Sequence, residues 1–311
     1  MYRFIDLFCG IGGFRLALEK EGLECVFSSD IDKHARDAYQ KNFGEEPKGD
    51  ITQILEKTIP KHDILCAGFP CQPFSISGNK LGVKDTRGRL FYEIIRIAKY
   101  HRPYILLLEN VKNIVSIDGG KTIETIKTKL DSIGYTVYIH VLNSSHFGVP
   151  QARERVYFVC LRRDIKEQYT LKYKEPKASM KKVYLENIME KDVEPELYIE
   201  REAVLADKII DYELKPIRVG IVNKGGQGER IYSPKGHAIT LSAYGGGVGA
   251  RTGIYLDEQK RIRRLSILEC KRLMGFPDDY HVSSGMQGYQ QLGNAVIPAM
   301  INNVYESIRI S

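Results

Sequence analysis

"RFIDLFCGIGGFRLALE", residues 3–19, carries an apolar run, three close glycines and a helix-spaced stretch, in that order. Arg3 to Phe8 reads as a short strand. Phe14 to Glu21 has helical spacing, with Phe14, Leu16, Ala17 and Leu18 interrupted by charges. Gly10, Gly12 and Gly13 then form a tight strand-to-helix turn, suited to close approach of a nucleotide-like ligand. The turn is not the dinucleotide fingerprint, because Arg15 stands where G-x-G-x-x-G requires a third glycine. A second strand, Glu24 to Ser28, leads to Asp30, twenty residues past Gly10, where an acid can hold ribose hydroxyls. These features point to a ribose-bearing cofactor rather than a pyrophosphate-bearing one.

Outward from this unit the alternation continues. Helices are expected at Lys33 to Asn42, Arg89 to Tyr100 and Thr122 to Ile133. Strands are expected at Asp63 to Ala67, Tyr104 to Leu108, Thr136 to Leu142 and Arg155 to Leu161. Such alternation implies an α/β fold with a mostly parallel sheet covered on both faces. Near residue 165 the pattern breaks into charged, weakly periodic sequence. Ten of the 28 glycines then fall between Gly220 and Gly253. "NKGGQGERIYS" (223–233) and "LSAYGGGVGARTG" (241–253) read as loops joined by short strands such as His237 to Leu241. Helices return at Ser266 to Met274 and Ala295 to Ile308.

The chain has 311 residues, 43% hydrophobic and 27% charged, which suits one large domain or two ordinary ones. No apolar run approaches the ~20 residues that span a bilayer. The first residues read as a strand and not as a signal peptide. Six scattered cysteines without CxxC spacing argue against a disulfide framework or a metal site and for a reducing, cytoplasmic setting. Net charge is +7, and between Lys215 and Arg264 ten basic residues face only three acidic ones. A polyanion-binding surface is therefore expected in the C-terminal half. An ordinary solvated face is the alternative, against which the interspersed glycines weigh.

In a parallel sheet, ligands bind beyond the carboxyl ends of the strands. After Asp63 to Ala67 comes "GFPCQPFS" (68–75), with Cys71 between Pro70 and Pro73. Proline fixes its own φ and keeps the preceding residue extended, so Cys71 sits on a stiff mount. A buried structural cysteine is the plainer reading. After Ile105 to Leu108 comes Glu109, a carboxylate that costs free energy there unless used or paired. In "QARER" (151–155), Arg153 and Arg155 are two apart and share a face if extended, as suits a carboxylate or phosphate.

Phe8-Cys9-Gly10-Ile11-Gly12, Pro70-Cys71-Gln72, Glu109-Asn110-Val111, Gln151-Ala152-Arg153-Glu154-Arg155 and Gly293-Asn294-Ala295-Val296 stand in one order along nearly the whole chain. With these five motifs the sequence resembles the cytosine-C5 DNA methyltransferases. Its nearest likeness is to the HhaI-type, GCGC-specific modification enzymes of restriction–modification systems, through "NKGGQGERIYS" and "ITLSAYGGG" (239–247).

The resemblance implies a Rossmann-like S-adenosylmethionine domain over 1–183, completed by 266–311, and a small glycine-rich, mostly β target-recognition domain over 184–265. It implies Phe8, Gly10, Gly12, Gly13, Asp30, Ile31, Asp50, Ile51, Pro70, Leu90, Asn294, Ala295 and Val296 as the cofactor site. It implies Cys71 as nucleophile, with Glu109, Arg153 and Arg155 assisting. Ser75, Ser77, Gln227, Arg230, Thr240, Tyr244, Gly246 and Gly247 would meet DNA. No metal is implied, and the enzyme would act as a monomer on the inner cytosine of GCGC. Ile31 departs from the family, which often carries an aromatic there. A transfer-RNA cytosine-C5 methyltransferase is the nearest alternative. A nucleotide-dependent oxidoreductase lacks its third glycine here. A DNA-binding protein without catalysis would not need these motif residues.

Overall fold

A computed structural model describes residues 1–70, 89–165, 171–206 and 211–310. Six strands form the main sheet: β1 (Arg3–Leu7), β2 (Glu24–Ser29), β3 (Ile64–Gly68), β4 (Ile105–Val111), β5 (Tyr135–Asn143) and β6 (Glu154–Arg162). Their order is β2-β1-β3-β4-β6-β5. β1 is parallel to β2 and β3, and β3 to β4, whereas β6 runs antiparallel to both β4 and β5. β1, β3 and β4 carry near-continuous apolar runs, as strands buried on both faces require.

Helices α1 (Gly13–Lys20), α2 (Lys33–Phe43), α3 (Arg89–His101) and α4 (Lys121–Ser132) follow the strands in the expected alternation. Phe91, Ile94 and Ile97 of α3 and Ile126 and Leu130 of α4 build the core on one face. On the other face, Phe14, Ala17 and Leu18 of α1 pack with Met300, Ile301 and Val304 of a C-terminal helix, Pro298–Glu306. The end of the chain thus returns to the N-terminal unit.

A second, five-stranded sheet lies between: β8 (Ala203–Leu205), β9 (Arg218–Val222), β10 (Arg230–Tyr232), β11 (Ile254–Leu256) and β12 (Ile262–Arg263), in the order β12-β11-β10-β9-β8. It has its own cluster of Ile217, Val219, Val222, Ile231 and Ile254. Leu185, Ala238, Leu241 and Tyr255 nevertheless belong to the main core, so the small sheet is built onto the large one. A third pair joins β7 (Leu171–Tyr173) to β13 (Ile308–Ile310).

Three expectations change. His237 to Leu241 is not a strand: it makes one bridge, Ala238 to Gln151, and is then held by side-chain hydrogen bonds instead of a ladder. β4 runs on to Val111, so Glu109 lies within the strand and opposite Tyr157 of β6. The C-terminal helix does not start at Ala295. Helices α5 (Ile267–Met274) and α6 (Gly285–Asn294) precede it, and it begins as α7 at Pro298. Proline at the first helical position needs no amide partner, which sets that boundary.

Candidate active site

β1 ends in the glycine turn, where Phe8 has φ 55 and Gly12 has φ 90. The left-handed region is costly for a phenylalanine, so the turn holds Phe8 against its preference. Asp30 closes the turn from β2. Its Oδ2 accepts the Gly10 N–H at 2.7 Å and its Oδ1 accepts the Asp32 N–H at 2.8 Å. The Gly12 N–H is bonded to the Cys9 carbonyl at 2.8 Å. These amides are therefore not offered to a phosphate. Arg15 is buried, with its guanidinium 4.6 Å from the centre of the Phe43 ring and Nη1 2.8 Å from Glu45 Oε2. A bulky, packed arginine takes the place of the dinucleotide fingerprint's last glycine.

A cleft of about 580 Å³ opens at the carboxyl ends of β1, β2, β3 and β4. Of the expected cofactor residues, Phe8, Gly10, Asp30, Ile31, Asp50, Ile51, Pro70, Leu90 and Asn294 line it. Gly12, Gly13, Ala295 and Val296 stand behind that wall. A Cβ on Gly13 would lie 2.6 Å from the Val296 carbonyl oxygen, so only glycine lets the C-terminal segment dock on α1. Ile31 is 74% exposed at the rim. The cleft offers apolar walls and the carboxyls of Asp30, Asp32 and Asp50. Apolar walls suit an adenine ring, and the carboxylate acceptors suit ribose hydroxyls and a cationic sulfonium. A pyrophosphate suits neither.

At one end of the cleft stand Glu109, Arg153 and Arg155. Register places Gly68 at the end of β3 beside Glu109 of β4. Asn110 Nδ2 donates to the Phe69 carbonyl at 2.8 Å, which anchors the chain two residues before Cys71. Cys71, Ser75 and Ser77 themselves lie outside the described residues. Arg155 Nε is 3.1 Å from Glu109 Oε1. Burial pushes the Glu109 carboxyl up from its ordinary range, against the pull of Arg155 and Arg153. The two guanidiniums do not share one target. Arg153 donates to the carbonyls of Leu241, Gly293 and Ala295.

In the small sheet, Gln227 and Arg230 line a cavity of about 290 Å³ with Gly228, Tyr232, Ile239 and Gly253. Glu229 braces the loop before it, accepting from Asn223 at 2.8 Å and from the Gly226 N–H at 2.9 Å. Thr240 donates its hydroxyl to the Ala152 carbonyl at 2.6 Å. Gly246 and Gly247 occupy the exposed glycine loop. Tyr244, which is 76% exposed, lines the cofactor cleft opposite Gln290 instead of the Gln227–Arg230 cavity. Several basic residues of the 215–264 stretch serve internally: Arg261 pairs with Asp257, and Arg263 is fully buried against Glu269. Sequence reasoning missed Gln291, whose amide joins the His34 carbonyl to Ser283, and Tyr280, whose hydroxyl donates to the Ile11 carbonyl. Neither has a local sequence signal, since the His34 and Ile11 carbonyls they reach lie more than 250 residues away in the chain.

A nucleoside cleft with carboxyls in place of phosphate-binding amides, on this sheet order, defines an S-adenosylmethionine-dependent methyltransferase. The model of the C-5 cytosine-specific DNA methylases matches residues 2–309, and the chain belongs to that family. It is 50% identical over 299 residues to the type II methyltransferase M.HhaI of Haemophilus parahaemolyticus, covering 95% of this chain and 90% of that one. It is 40% identical to M1.ScrFI of Lactococcus lactis subsp. cremoris, covering 99% and 78%. In fold it is similar to Dnmt2 of S. pombe (TM-score 0.74, 21% identity, 98% and 97% covered) and to a DNMT2 mutant of Spodoptera frugiperda (TM-score 0.75, 21% identity, 98% and 99% covered). The enzyme is a DNA cytosine-5-methyltransferase that uses S-adenosylmethionine. No helix among the described residues is long and apolar enough to cross a membrane.

Proposed function

We propose that the enzyme methylates the inner cytosine of GCGC in duplex DNA through a covalent adduct of Cys71. The observation that carries this reading is the register of Gly68 beside Glu109, with Asn110 holding the Phe69 carbonyl. Both bring the root of the Cys71 segment to the Glu109–Arg155 pair at the end of the cleft.

Carbon 5 of cytosine is a weak nucleophile. Thiolate addition at carbon 6 shifts the ring's double-bond electrons to carbon 5 as an enamine. A free thiol has a pKa of ~8.5, so little of it is thiolate near neutrality. Burial raises the Glu109 pKa and so favours its protonated form, which offsets the developing charge by donating to ring nitrogen 3. Arg155 orients that carboxyl and the base edge. S-adenosylmethionine would be held by Phe8, Asp30, Asp50 and Asn294 and would supply an electrophilic sulfonium methyl for carbon 5 to take up, with S-adenosylhomocysteine as the leaving group. Carbon 5 then loses its proton to a base, and the sulfur–carbon 6 bond breaks.

The target atom is out of reach inside a duplex, so the base leaves the stack at a cost of a few kcal/mol. Residues 184–265 act as the target-recognition domain, set on a catalytic domain of 1–183 and 266–311. Arg230 reads a guanine, Gln227 and Ser77 fill the vacated stack, Thr240 touches a phosphate, and Ser75, Tyr244, Gly246 and Gly247 also meet DNA. The enzyme acts as a monomer. Bisulfite sequencing of plasmid DNA exposed to the protein tests this reading. Protection of the inner cytosine of GCGC alone supports it. Protection elsewhere, or methylation of a transfer-RNA transcript instead, overturns it.

A further inference from the structure

Arg153 is 3% exposed, yet its guanidinium meets main-chain oxygens rather than a carboxylate. Nη1 donates to the Leu241 carbonyl at 3.2 Å, and Nη2 donates to the Gly293 and Ala295 carbonyls, each at 3.0 Å. A buried cation is costly unless its donors are satisfied, so this arrangement holds three acceptors where they are. Those acceptors come from two segments with different roles. Leu241 leads directly into the glycine-rich loop of 242–251. Gly293 and Ala295 flank Asn294, which lines the cofactor cleft.

The surrounding contacts fix the same layer. Gln151 Oε1 accepts the Leu241 N–H at 3.1 Å, and the Ala152 N–H donates to the Ala238 carbonyl at 2.8 Å. A Cβ on Gly293 would lie 2.6 Å from the Ala243 nitrogen. The two backbones therefore touch, and Arg153, the residue just before β6, bonds both. Arg251 adds a second tie, donating from the far end of the loop to the Met286 carbonyl in α6.

We propose that Arg153 is a positioning residue that couples occupation of the cofactor cleft to engagement of DNA by the glycine-rich loop. This rests on the reading that the loop meets DNA and the cleft holds the methyl donor. A carbonyl set that moves on one side loses bonds shared with the other, and linkage makes the effect reciprocal. Lysine retains the charge beside Glu109 but lacks the planar fork that spans three carbonyls.

The test compares S-adenosylhomocysteine affinity by calorimetry without and with a GCGC duplex, in the wild type, in Arg153→Lys and in Arg163→Lys. Arg163 is a surface arginine paired with Asp131 and serves as the matched control. Wild-type affinity should rise at least ~5-fold with DNA, within the usual range of coupling. Arg153→Lys should bring that ratio towards one, and Arg163→Lys should leave it unchanged. A wild-type ratio of one, or an Arg153→Lys ratio equal to wild type, overturns the proposal. Should Arg153→Lys not fold, amide hydrogen exchange of the wild type decides: S-adenosylhomocysteine alone must slow exchange across 238–243. Protection confined to the cleft rejects the coupling. A wild type that methylates no DNA sinks the functional reading as well, whereas one that methylates normally but fails the coupling test sinks only the role of Arg153.

Discussion

Arg155 Nε lies 3.1 Å from Glu109 Oε1, and both side chains are largely buried where β4 meets β6. The pair is not a plain salt bridge, because burial outweighs the guanidinium and pushes the Glu109 carboxyl up from its ordinary range. Burial thus favours the protonated carboxyl, beside a guanidinium 3.1 Å away that fixes its orientation.

Glu109→Gln should lower the rate of methyl transfer by roughly 10²–10⁴-fold, the usual weight of a general acid. The wild-type rate should fall as pH rises through the raised pKa, and the variant should lack that limb. The raised pKa also favours the folded state below the ordinary carboxylate range, and that stabilisation is lost as pH rises through the folded value. Denaturant titrations across this window should show a shallower pH dependence in the variant. An unchanged pH–rate profile would remove Glu109 from the chemistry.

Asp30→Ala removes the acceptor of both the Gly10 and the Asp32 N–H groups. Hydrogen bonds to charged groups are worth about 1.5–3 kcal/mol, so S-adenosylhomocysteine affinity and melting temperature should both drop. Asp30→Asn, which keeps one acceptor oxygen, should lose less. Calorimetric binding equal to wild type in the alanine variant contradicts this role.

Gly13→Ala places a methyl 2.6 Å from the Val296 carbonyl oxygen and 2.7 Å from its Cγ2. Overpacking of this kind costs about 1–3 kcal/mol. The C-terminal segment should loosen from α1 and cofactor affinity should fall with stability. A melting temperature unchanged in the variant would mean that Gly13 is replaceable.

Much of this site was legible in the sequence because strand ends mark it. The apolar runs before Phe8, Gly68 and Glu109 are buried on both faces of the sheet, so the residues that end each run gather at one edge. α6 was not legible: Gly285, Gly288 and Gly293 interrupt its periodicity, although Gly293 is needed for its contact with Ala243. Nor was the divergence of Arg153 and Arg155, since spacing places two side chains on one face without fixing their partners. The carbonyls that Arg153 finds belong to residues 88 to 142 positions away.

Arg230→Ala should relax discrimination at a guanine by about 1–3 kcal/mol, the worth of a bidentate contact. Competition between GCGC duplexes and duplexes altered at each position would show it. Selectivity identical to wild type at every position would take base reading away from Arg230.

The most direct measurement is a trap. A duplex with 5-fluorocytosine at the inner position of GCGC, incubated with enzyme and S-adenosylmethionine, cannot lose a proton from carbon 5. A denaturant-stable complex should accumulate, with the modification mapped by mass spectrometry to Cys71, and Cys71→Ser should form none while still retaining the duplex. Absence of the complex, or its mapping to another side chain, would contradict covalent catalysis by Cys71.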